Sequence, residues 1–162
     1  MLVSALVLPG LIFLFLKRFG RNEFLVEPLY QNGLIEVPVA CQIKLESPYS
    51  IPDSVFERFE SKSPLTLVSV PEKNDPDSDE LNTNLARVAD AIGAGVTITK
   101  LSASFSDPAE SGKLKKCILL APPDASVVLM DSARLIRGYY NGSSMKDVDR
   151  LIAEILIIQK RF

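Results

Sequence analysis

The chain predicts an α/β fold: a strand–helix–strand unit, then a β-hairpin, then a C-terminal helix. Three observations predict it. Two short apolar runs, Leu65 to Val70 and Val96 to Ser102, flank a stretch whose apolar residues recur at helical spacing. Two further apolar runs, Val127 to Met130 and Leu135 to Tyr140, face each other across the polar turn Asp131-Ser132-Ala133-Arg134. The last amphipathic pattern runs from Asp147 to Ile158.

In the first unit, Leu81, Leu85, Val88, Ala89 and Ile92 fall on one helix face. Asp77 is placed to cap that helix, with Glu80 three residues on as its reciprocal partner. Gly93 and Gly95 end it. Strand, helix and strand joined by short links make a right-handed crossover with parallel strands. Asp107-Pro108 is suited to start one short helix in the polar stretch 103–116. Cys117 to Ala121 is apolar and brief, and Pro122-Pro123 breaks the chain after it. Ser144 stands at the N-cap of the final helix and Asp147 in its first turn. Val148, Leu151, Ile152, Ile155, Leu156 and Ile158 give that helix a face wider than one side of a sheet needs. Ile155 and Ile158 are therefore candidates for a second contact, with the chain's own lead-in or with another protein.

The front of the chain reads differently. Leu2 to Leu16 carries no charge, Lys17 and Arg18 follow, and the stretch 1–19 is expected to be a transmembrane anchor. Leu2 to Leu16 alone gives about 22 Å of helix, so its flanks must extend it across a bilayer. A cleaved signal segment is the alternative. Residues 20–50 hold Pro28, Pro38, Pro48 and a turn at Asn32-Gly33, and are expected to be an extended lead-in or stalk that lies along the domain or forms an edge strand. Residues 51–162 form the folded domain. Lys17, Arg18 and Arg21 after the segment would by charge alone keep that domain in the cytoplasm.

Eighteen basic against 20 acidic residues, with no basic stripe, exclude a nucleic-acid surface. There is no histidine, so the commonest general base is missing. Glu57, Glu60 and Glu110 show no paired spacing, and no nucleophile-elbow, Walker or dinucleotide motif occurs. The chain is read as a non-enzyme without a cofactor. Asp75, Asp77 and Asp79 begin like a calcium loop, but Glu80 stands where Gly is needed and Ala86 where the bidentate Glu is needed. Lys113, Lys115 and Lys116 make a small basic run, read as a solvated helix end or a lipid-headgroup contact. Cys41 and Cys117 have no metal or redox spacing; one disulfide and two separate buried thiols are both open. One of Tyr139 and Tyr140 must face each side of the strand, for packing or for a partner interface.

The hairpin Asp131 to Tyr140, the turn Asn141-Gly142 and the helix start Asp147 to Ile152 resemble the Sco/SenC family, a branch of the thioredoxin-like fold. Leu81 to Val88 and Ile51-Pro52-Asp53 are also similar, and the anchored front resembles the Bacteroidetes-type form. The resemblance implies a periplasm-facing domain on an inner-membrane anchor. The family holds copper with a Cys-x-x-x-Cys pair before the first core helix and a histidine before the hairpin. The matching positions here are Asn74, Ser78 and Pro123. Soft Cu(I) prefers sulfur and imidazole, and these residues supply neither. The resemblance thus implies a degenerate member with no metal or redox site. It would act by binding, as an accessory or assembly partner of a respiratory membrane complex of the cytochrome-oxidase type. The alternatives are thiol-disulfide or copper handling through Cys41 and Cys117, or a structural role in another cell-envelope complex.

Overall fold

A computed structural model describes residues 11–15, 25–34, 41, 47–70, 78–105 and 107–160. Its centre is one mixed four-stranded sheet in the order β2-β1-β3-β4. The strands are β1 (Leu65–Ser69), β2 (Val96–Lys100), β3 (Val127–Asp131) and β4 (Ile136–Tyr140). β1 and β2 are parallel; β3 runs antiparallel to β1 and to β4. All five residues of β1 and all five of β3 are buried. That explains why both read as unbroken apolar or small-residue runs rather than alternating ones.

The helices follow from the same pattern. Residues 11–15 are helical (α1) with exposed apolar side chains. Asp53–Phe56 (α2) passes into a 3-10 turn, Glu57–Phe59. Ser78–Ile92 (α3) crosses from β1 to β2, and Gly93 leaves it in the left-handed region at φ 64°. Leu101–Ser104 (α4) and Pro108–Lys113 (α5) follow β2. Asp107 caps α5 by accepting the Ala109 N–H at 2.9 Å, as its place before Pro108 predicts. A π-type turn, Leu114–Ile118, comes next, and Met145–Gln159 (α6) closes the fold.

Two apolar cores lie on opposite faces of the sheet. Leu65, Leu67, Val127, Leu129 and Tyr140 meet Leu81, Leu85 and Val88 of α3 and Val148, Leu151, Ile155 and Ile158 of α6. Val68, Val128, Met130 and Ile136 meet Tyr49, Ile51, Phe59, Phe105 and Leu119 on the other side. Each fully buried side chain of this size contributes about 1.5–3 kcal/mol, so both faces are needed to hold the register.

Two expectations change. Leu101 and Ser102 belong to α4 rather than to β2, whose pairing with β1 ends at Ser69↔Lys100. Ser144 sits at the α6 N-cap but its side chain makes no cap bond; the first-turn Asp147 instead accepts the Asn141 N–H at 3.1 Å. Asp77, the expected cap of α3, lies outside the described residues, as does most of 1–19. Among the described residues no helix is long and apolar enough to cross a membrane. The described part of 20–50 lies along the domain, with Leu29 donating to Ile136 O at 2.7 Å and Tyr49 buried in the second core.

The hairpin is built around Asp131. Met130 pairs with Ile136 but Leu129 with Gly138, which leaves Arg137 as a bulge residue. The bulge keeps Ile136 in the second core and aims Arg137 at Asp131. Asp131 accepts from Arg137 Nε at 2.8 Å and from the Leu135 N–H at 2.9 Å. The carboxylate is 2% exposed, so an unpaired Arg137 beside it would be costly. Asp131→Ala is expected to lose about 3–5 kcal/mol of stability in urea unfolding. A loss below about 0.5 kcal/mol would contradict this role.

Candidate functional site

The site to which the resemblance points is the end of the sheet where β1 leaves, α3 begins and β3 starts. Asn74 lies outside the described residues. Ser78 is the first residue of α3. Pro123 is exposed in the turn before β3. Asp75 and Asp77 of the calcium-like loop also lie outside the described residues.

Polar groups that pair with one another close this end of the sheet. Val70 N–H donates to Ser126 O at 2.8 Å, and Ser126 N–H to Tyr140 O at 3.1 Å. Gly142 N–H donates to Ser126 Oγ at 2.8 Å, and Asn84 Nδ2 donates to Gly142 O at 2.8 Å. Ser126 and Asn84 are both buried. Gly142 is required here because a Cβ would run into Leu81 Cδ1 and Val127 Cγ2. Sequence reasoning missed this set, although one signal was present. Asn84 continues the Leu81, Leu85, Val88 stripe, and a polar residue on an apolar face announces a buried partner.

Cys41 and Cys117 are joined by a disulfide with Cα atoms 5.3 Å apart. Both are buried, at 8% and 6% exposure. The bond lands beside two other ties. Tyr49 Oη donates to Ile118 O at 2.6 Å, and Tyr139 Oη donates to Leu119 O at 2.8 Å, with Tyr30 Oη 3.3 Å away. Tyr140 faces the opposite core, donates to Glu154 Oε2 at 2.5 Å and lies under the Arg150 guanidinium. The two tyrosines thus face opposite sides, and both sides are interior. Tyr140, Ile155 and Ile158 are spent on the chain's own core rather than offered to a partner. The physical reason is that α3 and α6 pack on each other as well as on the sheet, which uses the wide face of α6. Of its adjacent apolar residues only Leu156 stays exposed, at 44%. Lys113 and Lys116 are exposed and Lys115 is half-buried.

Among the described residues no cluster of three or more Cys, His, Asp or Glu is placed to hold a metal ion. The buried hydroxyls are held neutral. Burial, reinforced by Tyr30, pushes Tyr49 up to about 12. Burial also raises Tyr139 strongly, with the Tyr30 hydrogen bond adding to it. Tyr140 is raised by burial and then by the Glu154 carboxylate. The arrangement is suited to holding shape rather than to moving protons near neutral pH. No family model, no curated protein and no solved structure matches the chain.

A pH dependence follows. In the unfolded chain a tyrosine ionises at 10.0, whereas folded Tyr49 does so at about 12. Below 10 both states are protonated and the contribution is complete; above it the unfolded state alone gives up the proton. Stability should stay level to about pH 10 and then fall by about 1.4 kcal/mol per pH unit for each such tyrosine. Phenolate absorbance should show Tyr139 and Tyr140 ionising only with unfolding, and Tyr49 in the folded chain not below about 12. Ionisation of these three near their ordinary value in a folded chain would contradict the burial argument.

Proposed function

We propose that the chain is a thioredoxin-like, membrane-anchored protein of Sco/SenC descent. It acts by binding, as an accessory or assembly partner of a respiratory membrane complex of the cytochrome-oxidase type. The sheet order β2-β1-β3-β4, with β3 antiparallel to the rest and α3 and α6 on one face, supports a thioredoxin-like core. The hairpin, the turn Asn141-Gly142 and the start of α6, on which the resemblance rests, lie together at β3, β4 and α6.

The observation that carries the binding reading is the chemistry of the matched positions. Asn74, Ser78 and Pro123 offer no thiolate and no imidazole, the chain holds no histidine, and neither cysteine among the described residues is free. Hard amide and hydroxyl oxygens are poor Cu(I) ligands. The ordered closure by Ser126, Gly142 and Asn84 supports a scaffold kept for its shape. The disulfide supports an oxidising compartment, and hence a domain on the periplasmic side of the inner membrane. Burial of both sulfurs weighs against the rival reading, a working thiol-exchange site at Cys41 and Cys117, because such a site keeps its attacking sulfur accessible in the closed fold.

The test is chemical crosslinking of the full chain in its native membranes, followed by purification in detergent and mass spectrometry. Terminal-oxidase subunits should be the dominant crosslinked species. Recovery of secretion or motility components instead would favour a structural role in another envelope complex and overturn the respiratory assignment.

A further inference from the structure

Residues 25–34 form a strap around the β4 edge of the sheet. Val26 packs on the α3–α6 core, while Leu29, Tyr30 and Leu34 pack on the opposite core. The bonds that tie it to the rest of the chain are Leu29 N–H to Ile136 O, Arg137 Nη1 to Val26 O at 2.9 Å, the Tyr30–Tyr139 hydroxyl pair, Tyr49 N–H to Tyr30 O at 3.1 Å and Ser47 Oγ to Gln31 O at 3.3 Å, with the Tyr30 and Tyr49 rings edge to face. No residue of the strap is fully buried. Ordering each residue costs about 1–2 kcal/mol of backbone entropy, while each hydrogen bond returns about 1 kcal/mol net. Those ties alone leave the strap marginal. The segment after it is different, because Tyr49 and Ile51 are buried at 3% and 0% exposure.

The missing contribution sits at Cys41, between the strap and Tyr49. Its bond to Cys117 joins positions 76 residues apart, and closing a loop of that size removes about 4–5 kcal/mol of unfolded-chain entropy. It also fixes the chain beside Ile118 and Leu119, the residues that receive the Tyr49 and Tyr139 hydroxyls. We propose that the Cys41–Cys117 disulfide is a redox latch on the strap. When a dithiol reductant opens it, residues 25–34 leave the β4 edge while the sheet and its two helices remain folded. In that step a thiolate of the dithiol attacks one sulfur to give a mixed disulfide. Its second thiol then displaces the protein sulfur. Cys41 and Cys117 end as two protonated thiols, having taken up two electrons and two protons, and the dithiol leaves as its own disulfide. Both sulfurs are buried, so the reductant reaches the bond through a local opening of the fold.

Hydrogen exchange read by mass spectrometry tests this on the full chain in detergent. The samples are the oxidised protein, the protein treated with dithiothreitol, and the Cys41→Ser/Cys117→Ser variant. In the latter two the Leu29 amide should exchange at least about tenfold faster, while the amides of Leu67, Val128 and Leu129 keep their protection. Alkylation under denaturing conditions should count two new thiols after dithiothreitol. The proposal is overturned if Leu29 stays protected in the variant, if protection is lost across β1 and β3 as well, or if dithiothreitol leaves the bond intact.

Discussion

The ion pair of Asp131 with Arg137 ties together parts of the chain that are far apart in sequence. Asp131 ends β3, takes the Leu135 N–H that closes the hairpin, and receives Arg137 from β4. Arg137 in turn donates to Val26 O, 111 residues away. Nearby, Arg134 stands in the left-handed region at φ 65°, pairs with Asp53 and donates to Ile51 O. The hairpin turn is therefore the point at which the lead-in is received. A carboxylate buried this deeply is tolerable only because both its oxygens are occupied, so the bulge that aims Arg137 is a condition of the fold.

That reception explains the two-sided core. A sheet with only α3 and α6 on it would leave Val68, Val128, Met130 and Ile136 facing water. The chain covers them with Tyr49, Ile51, Phe59 and Phe105, drawn from before β1 and after β2. Arg58 lies over the Phe105 ring 3.6 Å from its centre, with an ion pair to Glu110, and so joins the two sources of this layer. The lead-in is thus part of the domain in energetic terms, and a boundary at residue 51 would cut through the second core.

What the sequence made legible was local. The unbroken run of β1, the helical period of α3, the Asp-Ser-Ala-Arg turn and the Asp107-Pro108 start can all be read within a few residues. The parts that stayed hidden depend on distant partners. Asn84 is satisfied by Gly142, 58 residues on, and Tyr30 meets Tyr139 across 109. The width of the α6 face suggested a second contact without saying whether it lay in the same chain, because helix-on-helix packing with α3 cannot be read from either helix alone. Two cysteines allow one pairing, yet nothing in their spacing says whether it forms. At the positions matched by the resemblance the sequence was informative mainly through residue type, since Asn74 lies outside the described residues and Pro123 is only an exposed turn.

Under the proposed Sco/SenC descent, scaffold and chemistry have separated: the sheet order β2-β1-β3-β4 stands while soft donors are missing at Asn74, Ser78 and Pro123. The disulfide that does exist joins Cys41 to Cys117, both buried and away from an open surface. The most direct measurement is a Cu(I) titration of the purified full chain against a chromophoric cuprous chelator. The account predicts that the chelator keeps all of its copper at every protein concentration. Transfer of one cuprous ion per chain, held tightly enough to compete, would contradict it.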